Sequence, residues 1–272
     1  MKPLVKHWQD PVNAVLGVWL IGAPWAFAFQ AETAAVANSV VIGLALLASP
    51  LAAIVLRPPP ELALPSGALA TAPARSAVMG WPPDLVFGLL AVAVIFCCIP
   101  MAMPQAHLPA LCSDLGILAS HGAAMLSVLL GTAFISRQFW GWVSDRMGGL
   151  NTVLTGSMFQ IIAMAAFMFT QDEIGLFTVS AAFGLGFAGI IPAYVLAIRE
   201  LFPAPEAYWR IPTLLLCSGS GMALGGWLAG VLYDHFGTYA PAFAAGVAAN
   251  AINLAIVGML VLRQRSRSVW LA

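Results

Sequence analysis

The chain has 272 residues, of which 61% are hydrophobic and 8% charged, and its mean hydropathy is +0.92. A soluble domain carries charge on about a quarter of its residues, so this composition excludes one and points to an integral membrane protein in the lipid bilayer. Eleven basic against eleven acidic residues leave no net field to attract nucleic acid, and no nucleic-acid partner is expected.

In chain order, Lys2 and Lys6 precede an apolar run over about 12–29. Ala26-Phe27-Ala28 would suit a signal cleavage site, but Trp8, Gln9, Asp10 and Asn13 put polar and amphipathic residues where a signal's apolar core should begin. Trp8, Trp19 and Trp25 fit an aromatic belt around a retained helix. A second run over about 34–56 follows a turn with Gln30 and Glu32, which predicts a helical hairpin over 1–56. Trp8-x-Asp10, Asn13, Gly17-x-Trp19, Pro24-Trp25, Asn38 and Gly43 together resemble the SPW-repeat membrane proteins, whose unit is such a hairpin. Ala23 stands where their signature serine would be.

Residues 57–83 turn to Pro, Ala, Ser and Gly, from Pro58-Pro59-Pro60 to Trp81-Pro82-Pro83, and read as a cytoplasmic linker. Over 84–272 six apolar runs follow, at about 84–104, 117–141, 151–170, 174–198, 211–233 and 240–262, each long enough to cross a bilayer. The expected fold is thus all-α, a polytopic bundle of eight transmembrane helices arranged as two plus six. If the N-terminus is cytoplasmic, Lys2, Lys6, Arg57, Arg75, Arg146, Arg199, Arg210, Arg263, Arg265 and Arg267 all fall on the inner side. Glu32, Asp114, Asp172, Glu173 and Asp234 collect outside. This asymmetry predicts an inner-membrane protein with both termini cytoplasmic and a basic tail. Only Arg137 is left within a span.

Gly141-x-x-x-Asp145-x-x-Gly148 follows the second of the six runs and Gly230-x-x-x-Asp234-x-x-Gly237 the fifth. Three spans lie between them, so the turns should sit on opposite sides of the membrane, as in an inverted repeat of three helices plus three. Gly141-x-x-x-Asp145-Arg146-x-Gly148, Pro104-Gln105-Ala106-His107-Leu108 and Arg137-x-x-x-Gly141 resemble the C-terminal six-helix half of major facilitator superfamily transporters, in particular the monocarboxylate and oxalate/formate branch. The resemblance implies a transporter, not an enzyme, with Arg137 as the substrate contact; His107 is a second candidate anion contact, at the outer mouth, its other reading being a residue that simply sits at the interface. Gly141, Asp145, Arg146 and Gly148 would be the turn that braces neighbouring helices during rocking. Such transporters hold substrate between two six-helix halves, and no N-terminal half is recognised here, so a partner half or a second copy is expected. The branch's acidic residue one turn before the arginine falls at Ala133.

The chemistry of Arg137 agrees with this resemblance. An arginine inside a bilayer needs a cavity, a partner or the interface, and its planar fork grips a carboxylate with two hydrogen bonds. The expected cargo is therefore a small organic anion. The other reading of Arg137 is a snorkelling side chain. At the level of the whole chain, the alternative is a non-transporting scaffold or a fused remnant of a transporter.

Cys97, Cys98, Cys112 and Cys217 lack zinc or redox spacing and read as packing residues, so no metal or cofactor is expected. Gly221-x-x-x-Gly225 and Gly226-x-x-x-Gly230 suit close helix crossings. No catalytic constellation is present in the pattern.

Overall fold

A computed structural model describes residues 77–270, with side chains to 266, together with the isolated positions Val15 and Val18. The expected hairpin over 1–56 and most of the linker lie outside the described residues. The chain divides into a unit over 1–68 and a unit over 69–272, and the architecture below is that of the second.

Seven helices make six candidate spans: α1 Pro83–Asp114, α2 Ala119–Met147, α3 Gly149–Phe169, α4 Glu173–Phe187 with α5 Ile190–Leu201, α6 Ala204–Phe236 and α7 Ala240–Trp270. Their boundaries follow from local chemistry. Pro82-Pro83 starts α1, where a missing N–H costs nothing. Asp172 caps α4 by accepting the Gly175 N–H at 2.8 Å. Phe202, extended because Pro203 follows it, ends α5. Gly148 and Gly237 end α2 and α6 at φ 79° and 69°, a backbone conformation that side chains with a Cβ resist. The two related turns thus share a glycine at positive φ but not its conformation, since ψ is 162° at Gly148 and 9°, left-handed helical, at Gly237.

Contacts between helix ends establish that successive spans alternate in direction. At one end, Arg210 of α6 meets Asp84 of α1, Glu200 of α5 meets Gly149 of α3, and Arg263 of α7 bonds the Met79 carbonyl and stacks on Trp81. At the other, His121 of α2 lies 2.7 Å from Glu173 of α4, while Asp114, Thr170 and Tyr239 line one small cavity. The first end carries Arg146, Arg199, Arg210, Arg263 and Arg265; the second carries Asp114, Asp172, Glu173 and Asp234 and, among the described residues, no Lys or Arg.

Small residues bring the helices close. A Cβ on Gly225 would strike the Ile99 carbonyl, and one on Gly221 would lie 2.5 Å from the Ile95 carbonyl, so α6 crosses α1 backbone to backbone. Gly226 and Gly230, by contrast, have no tight neighbour, and of the two predicted glycine pairs only the first makes a close crossing. Between α1, α3, α5 and α7 lies a buried polar network. Asn253 donates to Ser157 Oγ at 2.8 Å and accepts from the Tyr194 hydroxyl at 2.6 Å, Asn250 donates to the Ser157 carbonyl, and Gln160 donates to the Cys97 carbonyl. In a bilayer such interhelical bonds contribute about 0.6 kcal/mol each. Cys97, Cys98 and Cys112 are buried packing residues, as expected.

Two spans begin or end differently from the sequence reading. The first helix runs through the Pro104-to-Leu108 segment to Asp114, so His107 lies within α1, seven residues before its end. The fifth starts at Ala204, not 211, which places Arg210 inside it and 2% exposed. Hydropathy missed this because the first turns of α6 carry Glu206 and Arg210, whose charges neutralise each other locally.

Candidate functional site

The site is built around the middle of α2. Arg137 is ten residues from the end of α2 at Met147, or about 15 Å at 1.5 Å per residue. It is exposed, and among the described residues it has no hydrogen-bond or ion-pair partner. It lines a cavity of about 530 Å³. Leu130, Ala133, Phe134 and Arg137 of α2 form one wall and Ser218 and Met222 of α6 the other. The floor is Met101 and Gln105 of α1 with Phe187, Ala188, Ile191 and Pro192 from the junction of α4 and α5. No carboxylate lines it. Ala133, where the resembled branch has an acid, is 5% exposed.

The cavity's other polar groups are already engaged: Gln105 donates to the Met101 carbonyl at 2.7 Å and Ser218 pairs with Cys98 at 3.2 Å. Arg137 therefore supplies the unsatisfied polar group and the charge. The walls, α2 and α6, are the least buried of the six spans and make no extensive contact with each other, so the cavity is open between them.

The floor owes its shape to a break in the fourth span. Pro192 has no N–H to give the carbonyl of Ala188, and α4 stops at Phe187 before α5 resumes at Ile190. Ala188 and Gly189 keep right-handed helical dihedrals, so the break is a local kink in a continuing span, tolerated at mid-membrane where it lines a cavity.

His107 does not join Arg137. Its Nε2 lies 2.9 Å from the Gly226 carbonyl, which only accepts, so Nε2 carries the hydrogen; in the neutral ring Nδ1, 3.3 Å from the Tyr239 hydroxyl, then accepts from it. The side chain ties α1 to α6 and to the turn before α7, and it is not among the residues lining the Arg137 cavity. Burial pushes the Tyr239 phenol above its usual range, with the charges of Asp114, Tyr233 and Asp234 adding to the effect.

The turn motif is divided similarly. Arg146 folds back over its own helix, 3.7 Å above the Trp142 ring and bonded to the Trp142 carbonyl. Asp145 and Gly141 are exposed, and Asp145 has no partner among the described residues. The acid that braces the turn is Glu200, which accepts the Gly149 N–H at 2.9 Å at the N-terminus of α3, where a negative charge is favoured. Gly149 itself packs so tightly on α5 that a Cβ there would strike the Ala197 nitrogen.

Arg210 lies at the Arg-bearing end, with the cations the sequence grouped it with, but buried within α6. Its guanidinium bonds Asp84 at 2.8 Å and Glu206 at 3.0 Å and lies among the rings of Phe87, Phe202 and Trp209, 4.9, 4.3 and 4.6 Å from their centres. The Glu206–Arg210 spacing of one helical turn was its available signal.

Helix order, alternation and packing define a polytopic membrane protein with a major-facilitator-like transporter fold. The crystal structure of the transporter FucP in its outward conformation superposes with a TM-score of 0.56 at 13% identity, covering 84% of this chain and 54% of that one. A second structure, of the Escherichia coli fucose:proton symporter FucP, gives 0.57 at 14%, over 90% and 64%. In sequence the chain is similar to the multidrug resistance protein MdtG of Escherichia fergusonii, 25% identical over 198 residues, which are 70% of this chain and 47% of that protein. It is also similar to the MdtG of Proteus mirabilis, 29% identical over 138 residues, 48% and 33% of the two chains. The chain therefore spans less than half the length of these curated relatives. The SPW repeat domain model matches residues 7–98, from the expected hairpin into the first half of α1. The likeness is to a non-enzymatic family, as the sequence implied.

Proposed function

We propose that the described bundle forms one side of a membrane pathway for a small, monocarboxylate-like organic anion, with Arg137 as the anion contact. The observation that carries this reading is an exposed, unpartnered guanidinium about 15 Å from the end of its helix, in a cavity without a carboxylate. An arginine there costs at least about 2.5 kcal/mol on insertion scales, which an incoming carboxylate offsets through two charge-assisted bonds. The Arg-bearing end of the bundle faces the cytoplasm, by the positive-inside rule, in the inner membrane. The two glycine-ended turns suit a three-plus-three inverted repeat. His107 braces the bundle beside the pathway, and the Gly141–Gly148 turn, with Glu200, braces its cytoplasmic end.

The open side between α2 and α6 needs cover from a second six-helix body, either another copy or a partner chain, since lipid would otherwise face the guanidinium. The test is uptake of radiolabelled lactate, formate and oxalate into liposomes, beside the mass of the purified chain in mild detergent. Arg137→Lys should cut uptake at least tenfold, because an ammonium keeps the charge and loses the fork. Equal uptake by the variant removes Arg137 from the site. A strict monomer without uptake would leave the alternative, a non-transporting scaffold.

A further inference from the structure

Two side chains of α2 reach one acceptor on α4. Ser136 Oγ donates to the Leu185 carbonyl at 2.5 Å and Trp140 Nε1 donates to the same oxygen at 2.7 Å. Leu185 lies in the last turn of α4, where helix carbonyls lack partners of their own. Both donors are buried, at 2% and 5% exposure. Trp140 also occupies the space beside Gly189, where any Cβ would strike its side chain. The two donors therefore fill both lone pairs of a carbonyl in the last turn before the break, and the indole wedges against the break itself.

Arg137 sits between them in sequence. Ser136 and Trp140 face the fourth span while Arg137 faces the cavity, and that cavity's floor, Phe187, Ala188, Ile191 and Pro192, comes from both sides of the break.

We infer that Ser136 and Trp140 form a latch that holds the α4–α5 break closed and thereby sets the floor under Arg137. They are positioning residues. In a lipid setting a carbonyl without a donor costs several kcal/mol, so the break cannot hinge freely while both bonds stand. A rotation of α2 about its axis releases both at once, because both donors lie on one helix. An anion drawing on Arg137 acts on the same turn, so occupancy of the cavity and hinging of the fourth span are mechanically linked. That consequence rests on the cavity being a pathway; the latch itself does not.

The test is hydrogen–deuterium exchange of the full chain in lipid nanodiscs, read on peptides spanning residues 184–195, for wild type, Ser136→Ala, Trp140→Phe and the double variant. Each single variant leaves one donor on the Leu185 oxygen and should speed exchange of the amides at 188–191 about fivefold, while the double variant, which leaves it bare, should speed it by more than about twenty-fivefold, with α3 and α7 unchanged. Exchange within twofold of wild type in the double variant overturns the latch, as does an equal rise in α3 and α7. If the double variant does not fold, Trp140→Phe, which keeps the ring, decides by the same criterion. Raised exchange in a chain that moves no anion leaves the latch standing and removes the pathway reading. Anion uptake with unchanged exchange does the reverse.

Discussion

Replacing Arg210 by alanine tests whether a buried cation at a helix end fixes the bundle. The Arg210 side chain is 3% exposed, that of Glu206 17% and that of Asp84 88%. Losing the guanidinium leaves Glu206 largely shielded from water without a counter-charge, a situation that costs about 3–5 kcal/mol for fully buried pairs. The residual exposure of Glu206 argues for the lower limit, while loss of three aromatic contacts, each worth about 0.5–1 kcal/mol, argues upward. Together these give about 3–4 kcal/mol for Arg210→Ala. Asp84→Asn should cost less than about 1 kcal/mol, since its carboxylate is already in solvent and Glu206 remains paired. Unfolding of the purified chain by SDS in detergent micelles, followed through tryptophan fluorescence, measures both. An Asp84→Asn loss equal to that of Arg210→Ala would refute the burial argument, as would an Arg210→Ala loss below about 0.5 kcal/mol.

Two further outcomes follow from packing and titration. Gly149→Ala should lower stability by about 3 kcal/mol or abolish folded yield, because its Cβ would strike the Ala197 nitrogen and lie 2.7 Å from the Ala193 carbonyl, whereas Gly88→Ala, with nothing within 4 Å, should be neutral or up to about 1 kcal/mol stabilising. Equal behaviour of the two variants in the same SDS titration would show that α3 and α5 can part at no cost. The raised Tyr239 phenol means the folded chain holds its proton more tightly than the unfolded one. Its stabilising contribution is complete below the ordinary tyrosine pKa of about 10 and declines as pH rises through the higher folded value. Tyr239→Phe should make the alkaline loss of stability shallower, and an unchanged slope between about pH 9 and 11 would exclude it as a contributor.

The residues that the sequence pattern singled out have separate places in the fold. Arg137 was legible because a lone charge in an apolar run has few uses. His107 lies within α1, which accommodates Pro100, Pro104 and Pro109, and its bonds to Gly226 and Tyr239 come from residues more than a hundred positions away, which the local pattern could not show. Asp145 drew attention through a motif, yet the acid at that helix end is Glu200, 51 residues from the Gly149 N–H it accepts. Such a contact has no local signature. Ser136 and Trp140 were equally silent, since their acceptor is a backbone carbonyl of another helix.

Hydropathy and charge placement determined the number and alternation of the described spans, because a bilayer demands about 20 apolar residues per crossing and sorts arginine to one side. Those constraints act along the chain and are written in it. What only the tertiary structure decided is which side chains share a space: that Arg137 faces an open cavity without a carboxylate, that Arg210 is caged by aromatic rings, and that the break in the fourth span is held from α2. These depend on the rotation of each helix about its axis, which is set by close approaches such as those of Gly149, Gly189 and Gly225. Hydropathy is nearly uniform around helices in a bilayer, so it leaves that rotation open until they pack.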